Sequence, residues 1–234
     1  MNTGAGSPTF PKRQFALIAE YCGAPVRLLD GGDLMHADNR ALADAGLVVT
    51  HLQDGCRPSE WLFGTRIEQL VRRFSIPVLI VKQPANRRYR RVLVAVKLDE
   101  AASDLAAAAK TLAPRAQVDA VHVLGTSHEY RCRMADVPEA AVRAHRMRTF
   151  GDAYRKLNDL IAAGWGREAA AVARRLAVGN APHRLLEMGS AARAGLIVLG
   201  KRPRHWLADL FLDRGIARTV LAEARSDVLL VPCK

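Results

Sequence analysis

Ala194-Gly195-Leu196-Ile197-Val198-Leu199 decides the fold, because the chain contains it twice: Ala45-Gly46-Leu47-Val48-Val49-Thr50 is the earlier copy. Each copy runs through a polar loop and an amphipathic stretch into a closing aliphatic run. These runs are Pro77-Val78-Leu79-Ile80-Val81 in the first copy and Asp227-Val228-Leu229-Leu230-Val231 in the second. A repeat at the scale of a domain points to duplication of a whole domain rather than to a solenoid of short units.

Between the two copies, Gln83-Pro84-Ala85-Asn86-Arg87-Arg88 separates one buried-strand run from the next and reads as a linker. The boundary gives two units, residues 1–84 and 85–234. The second unit alternates throughout. Strands are predicted at 92–96, 118–124, 173–178, 196–199 and 228–231, and helices at 103–112, 138–163, 182–194 and 214–224. A loop is expected between 124 and 138. Ser103 suits a helix N-cap, Pro182 a first helical turn, and Gly164-Trp165-Gly166 a stop. Continuous aliphatic strands between helices describe a parallel sheet covered on both faces. Right-handed crossovers make it doubly wound. The first unit offers helices at 14–21, 34–45 and 65–74 and strands at 26–29, 47–50 and 78–81. The fold class expected is therefore α/β, with tandem doubly wound parallel sheets and an abridged first copy. A sheet so short leaves an edge that must be covered or paired, so the halves are expected to pack together or the chain to dimerise.

Composition narrows the function. Half of the 234 residues are hydrophobic, which supports a packed core. No apolar run approaches the ~20 residues of a membrane span. The opening Met1-Asn2-Thr3-Gly4-Ala5-Gly6-Ser7-Pro8 lacks the basic and apolar regions of a secretory leader, so a cytoplasmic protein is expected. The cysteines Cys22, Cys56, Cys132 and Cys233 stand far apart and read as reduced, mostly buried thiols without metal-ligand spacing. The net charge of +12 favours polyanions in general. Its local concentrations are Arg87-Arg88-Tyr89-Arg90-Arg91, Arg143 to Arg148, and Lys201-Arg202-Pro203-Arg204-His205. Association with nucleic acid is thus a weaker reading beside the others.

Catalytic signatures are missing. No HxxxH or HExxH array, Walker loop, Rossmann fingerprint or nucleophile elbow occurs. His51 and Cys56 share a loop but have no third, orienting group, so they read as a loop histidine and a packed thiol. Trp61 and Trp206 read as apolar plugs before the final helix of each copy, and Trp165, between two glycines, as partly exposed.

The strands Val92-Leu93-Val94-Ala95-Val96 and Val118 to Val123, the run Ala194 to Gly200 and the closing Val228-Leu229-Leu230-Val231-Pro232 together resemble the universal stress protein family. So does Phe63 to Arg73 followed by Pro77 to Val81, which is similar to that family's last helix and strand. The resemblance covers nearly the whole chain and implies an adenine nucleotide alpha hydrolase-like fold. In the family's nucleotide-binding branch, Gly-x-x-Gly follows the fourth strand, and nine residues later Gly-Ser or Gly-Thr opens a helix whose amides meet phosphate. An Asp ends the first strand. Here Gly200 keeps the first glycine, Pro203 replaces the second, and the late pair falls on Asp213-Arg214 or Arg214-Gly215. Lys97 stands in place of the Asp. The first copy has His51 and Asp54 at the early glycines and keeps only Gly64-Thr65.

The resemblance therefore implies a degenerate nucleotide site and no cofactor. The function expected is non-catalytic stress-response or regulatory work through dimerisation and partner or ligand binding. The alternative is an ATP-binding switch with an altered phosphate loop. A residual anion site would draw on Lys97, Gly200, Arg202, Arg204, Arg214 and Gly215, with Lys201 nearby; solvated loop charges are the plain alternative. By the same resemblance, the final strand, Val228, Leu229, Leu230 and Val231, is the expected sheet edge and homodimer contact.

Overall fold

The computed structural model describes residue 20 and residues 45–51, 76–82, 88–98, 102–201 and 216–233. In these segments the strands are β1 (Val48–His51), β2 (Val78–Val81), β3 (Arg91–Ala95), β4 (Gln117–Leu124), β5 (Ala173–Val178), β6 (Leu196–Lys201) and β7 (Asp227–Pro232). The helices are α1 (Ala102–Leu112), α2 (Ser127–Met134), α3 (Glu139–Trp165), α4 (Ala181–Ala191) and α5 (Ile216–Glu223). A 3-10 segment, Gly166–Ala171, follows α3. The helices expected at 14–21, 34–45 and 65–74 and the strand at 26–29 lie outside the described residues, apart from Glu20 and Ala45.

Each predicted strand of the second unit is present, and its apolar runs divide between two cores. Val92, Val94, Val198, Leu229 and Val231 face α1 and α3, where Leu105, Leu157, Ile161 and Trp165 are buried. Leu93, Ile197, Leu199, Val228 and Leu230 face α4 and α5, where Leu185, Val220 and Leu221 are buried. Both faces are covered, which is why these strands show no polar alternation. Each such side chain contributes on the order of 1.5–3 kcal/mol relative to exposure. Helix α3 ends where Gly166 takes φ of 55°, a left-handed stop that favours glycine. Trp165 is buried against the first core rather than partly exposed: the last turn of α3 turns its indole inward.

Two expectations need correction. Residues 127–134 form a helix, not a loop; α2 carries no apolar stripe and packs against the start of α3, a contact that local periodicity could not announce. The larger correction concerns the sheet. The strands do not form two parallel sheets but one mixed sheet of seven, in the order β1-β2-β7-β6-β3-β4-β5. All neighbours are parallel except β2 and β7, which are antiparallel. Strand β7 is consequently no edge. Its backbone pairs with β6 on one side and, over Val228 to Leu230, with β2 on the other, so the open sheet edge expected at Val228 to Val231 as a homodimer contact is corrected: β2 of the same chain fills it. The antiparallel turn suits the connection. The end of β2 lies beside the start of β7, at the amino pole from which β3 departs.

The seam pairs the two stretches that are alike in sequence. In β1–β2, Val48 is level with Val78; in β6–β7, Ile197 is level with Val228. These are corresponding positions of the two copies. Leu79 and Leu229, which also correspond, face each other across the seam.

Candidate functional site

The chain runs outward from β3 through β4 to β5, then returns to place β6 on the other side of β3. The gap between β3 and β6 is therefore the topological switch point, where doubly wound sheets take ligands at the carboxyl ends of their strands. Ala95 is level with Leu199, so Lys97, just past the end of β3, and Gly200, next to last in β6, lie at the mouth of this point. Lys97 is exposed. Of the six residues expected to form an anion site, these two stand at the carboxyl ends of adjacent strands; Arg202, Arg204, Arg214 and Gly215 lie outside the described residues. In the first copy His51 ends β1, and Asp54, Gly64 and Thr65 lie outside them too.

The floor of the mouth is fixed by polar contacts that the sequence did not announce. His122 on β4 uses its ring Nδ1 to meet the Val96 carbonyl at 2.8 Å, where β3 has left the ladder. The Val96 amide in turn donates to Val121 at 2.8 Å. At the end of β5, Gly179 takes φ of 132°, a region L side chains rarely adopt. Its amide donates to Leu124 at 2.9 Å. Asn180 then caps α4, accepting from the His183 amide at 3.3 Å. The carboxyl ends of β3, β4 and β5 are thus tied to one another. Chemically, the mouth presents a cationic side chain and a glycine backbone but, among the described residues, no carboxylate or nucleophile with an orienting partner.

A second polar cluster sits at the seam. Asp227, 2% exposed, accepts from the Lys82 amide at 2.8 Å and the Tyr89 hydroxyl at 2.6 Å. The Lys82 ammonium donates to the Leu221 carbonyl and, at 2.8 Å, to the Ala224 carbonyl, closing the end of α5 where cations are favoured. Burial pushes the Lys82 amine down from 10.5 to about 8, with Asp227 pulling it the other way. The cluster fastens both ends of the linker to β7 and reads as structural. Its signal in the sequence was faint: Asp227 opens a strand that is otherwise aliphatic.

The fold is that of a doubly wound α/β protein with its switch point between β3 and β6. The sequence matches the Universal stress protein family over residues 88–232, and the chain belongs to that family. Among curated proteins no sequence matches significantly. Among solved structures, a universal stress protein from Archaeoglobus fulgidus is 18% identical with a TM-score of 0.58, covering 86% of this chain and 65% of its own. A functionally unknown protein from Pseudomonas aeruginosa PAO1 is 17% identical with a TM-score of 0.52, covering 87% of this chain and 66% of its own. At these identities the likeness is one of fold, and this chain spans about two thirds of the length of those structures. No helix among the described residues is long and apolar enough to cross a membrane.

Proposed function

We propose that this chain is a regulatory, non-catalytic universal stress protein in which residues 1–84 are an abridged second copy. That copy docks its last strand where a partner protomer would otherwise lie. The reciprocal register of β2 and β7 carries this reading, because a copy placed by approximate two-fold symmetry must exchange equivalent residues across the seam. Regulation then acts through ligand or partner binding in the cytoplasm rather than through turnover.

At the switch point the proposed ligand site is degenerate. Lys97 stands where the family's nucleotide-binding branch carries Asp, and Pro203, which has no amide hydrogen, stands where that branch carries glycine. The protein is expected to purify without nucleotide and to give no saturable heat on titration with ATP and magnesium. Stoichiometric binding at micromolar concentration would instead establish the alternative, a nucleotide switch using Gly200 and an altered phosphate loop.

A further inference from the structure

The pole opposite the switch point carries a feature that the family reading does not use. Four neighbouring strands, in the order β7, β6, β3 and β4, each begin beside an exposed arginine. Arg225 precedes β7, Arg193 precedes β6, Arg91 opens β3 after Arg90, and Arg115 precedes β4. The register places them in a row. Gly195 donates to the Arg91 carbonyl at 3.0 Å and Gln117 to the Arg90 carbonyl at 2.9 Å. Ser226 donates from its hydroxyl to the Ala194 carbonyl at 2.6 Å. With strands about 4.8 Å apart, the row runs about 14 Å across the sheet. Arg90, Arg91 and Arg193 line a shallow groove of about 690 Å³ with Ala191.

Backbone geometry shows that one member of the row is held there at a cost. Helix α4 ends with Arg193 donating to Ser190 at 2.9 Å and Ala194 to Gly189 at 2.8 Å, a pattern whose left-handed position is usually glycine. Arg193 occupies it at φ of 50°, a conformation that L side chains adopt only at a cost. Arg91 spends one donor on the Ala192 carbonyl at 3.0 Å, fixing its guanidinium beside the groove. Among the described residues, the acids near the row are Asp227, which is buried, Glu20, which pairs with Arg88 at 3.0 Å, and Glu223 on the last turn of α5.

We infer that this row is a binding surface for the phosphodiester backbone of nucleic acid. Arginine forks hold phosphate oxygens in pairs, and a line of them at regular spacing suits a polyanion extended across the sheet. Tyr89, an aromatic residue beside the row, packs against the first core, and phosphate contacts carry no sequence information, so recognition is independent of sequence.

The test is fluorescence anisotropy of a labelled single-stranded oligonucleotide of mixed sequence, titrated with the full chain at several salt concentrations. Binding is expected at low salt, and log affinity should fall linearly with log salt. In the double variant Arg90→Gln/Arg193→Gln the slope should flatten by about 1.4, at about 0.7 for each lost phosphate contact. Its urea unfolding midpoint, measured alongside, should stay near that of the parent. The control Arg143→Gln/Arg148→Gln, on α3, should leave the slope unchanged. The inference is overturned if no binding occurs at low salt or if the control flattens the slope as much, which would mean diffuse attraction by net charge. Equal competition by poly-glutamate would also overturn it, pointing to an acidic protein partner.

Discussion

Leu79 faces Leu229 at the centre of the antiparallel pairing of β2 and β7, and around them the register is reciprocal: Val78 is level with Leu230 and Ile80 with Val228. Val78 corresponds to Val228 and Ile80 to Leu230 in the internal repeat. The seam is therefore self-complementary, as an interface between identical protomers would be, although one chain supplies both sides. Their side chains also agree. Leu79 and Val81 enter the same core as Leu229 and Val231, while Val78 and Ile80 enter the other with Val228 and Leu230.

Leu79 and Leu229 are both fully buried. Leu229→Ala should lower stability by about 2–5 kcal/mol, and Leu79→Ala by a similar amount. Because the two positions oppose each other, the double variant should lose less than the sum. Urea unfolding of the three variants measures this, and strict additivity would argue against a shared packing site.

Removing residues 1–87 strips β2 from β7 and leaves β7, still paired with β6, as an open edge along Val228 to Val231. Such an edge recruits another strand. The fragment 88–234 is expected to dimerise. Light scattering after size exclusion reads this directly; a monomeric, soluble fragment would count against the pseudo-dimer seam.

The Lys82 amine sits at about 8 in the folded chain against an ordinary 10.5. Between these values the unfolded chain keeps a proton that the folded chain has released, so stability gains with rising pH. Below about pH 8 the burial penalty on the charged amine is fully present. The stability difference between the parent and Lys82→Met should therefore move in the parent's favour from pH 8 towards pH 10. Urea titrations across that range test it; a flat or falling difference would refute the assignment.

Two glycines of α3 should respond oppositely to alanine. A Cβ at Gly151 meets nothing within 4 Å, whereas one at Gly164 would lie 3.0 Å from the Ala102 carbonyl oxygen. Gly151→Ala should stabilise by about 1 kcal/mol through helix propensity. At Gly164 the same gain is offset by about 1–3 kcal/mol of overpacking against the backbone of α1, so no gain, or a net loss, is expected. Thermal unfolding of the two variants makes the comparison.

Much of the second unit was legible because its signals are local. Runs such as Leu196-Ile197-Val198-Leu199 can be satisfied only as covered strands, and Asn180-Ala181-Pro182 marks a helix start without reference to the rest of the chain. Helix α2 was not legible, since Ser127 to Met134 has no apolar period and is held by its contact with α3. The candidate site was half legible. Lys97 and Gly200 were picked out by resemblance, but that they share the switch point follows from β6 lying beside β3. Arg193 and Arg225 attracted no notice because each stands apart from the charge clusters along the chain.

The sequence by itself determined the family, the strands of residues 88–232 and their helices other than α2, and the likeness of residues 45–50 to 194–199, because periodicity, capping and aliphatic runs act within a few residues. Tertiary structure alone decided that β2 runs antiparallel to β7, that two expected sheets are one, and that the expected dimer edge is filled from within. Strand direction and choice of neighbour depend on which backbone donors remain unpaired after distant segments have met. An aliphatic run such as Val78 to Val81 satisfies either orientation equally until Leu229 is opposite it.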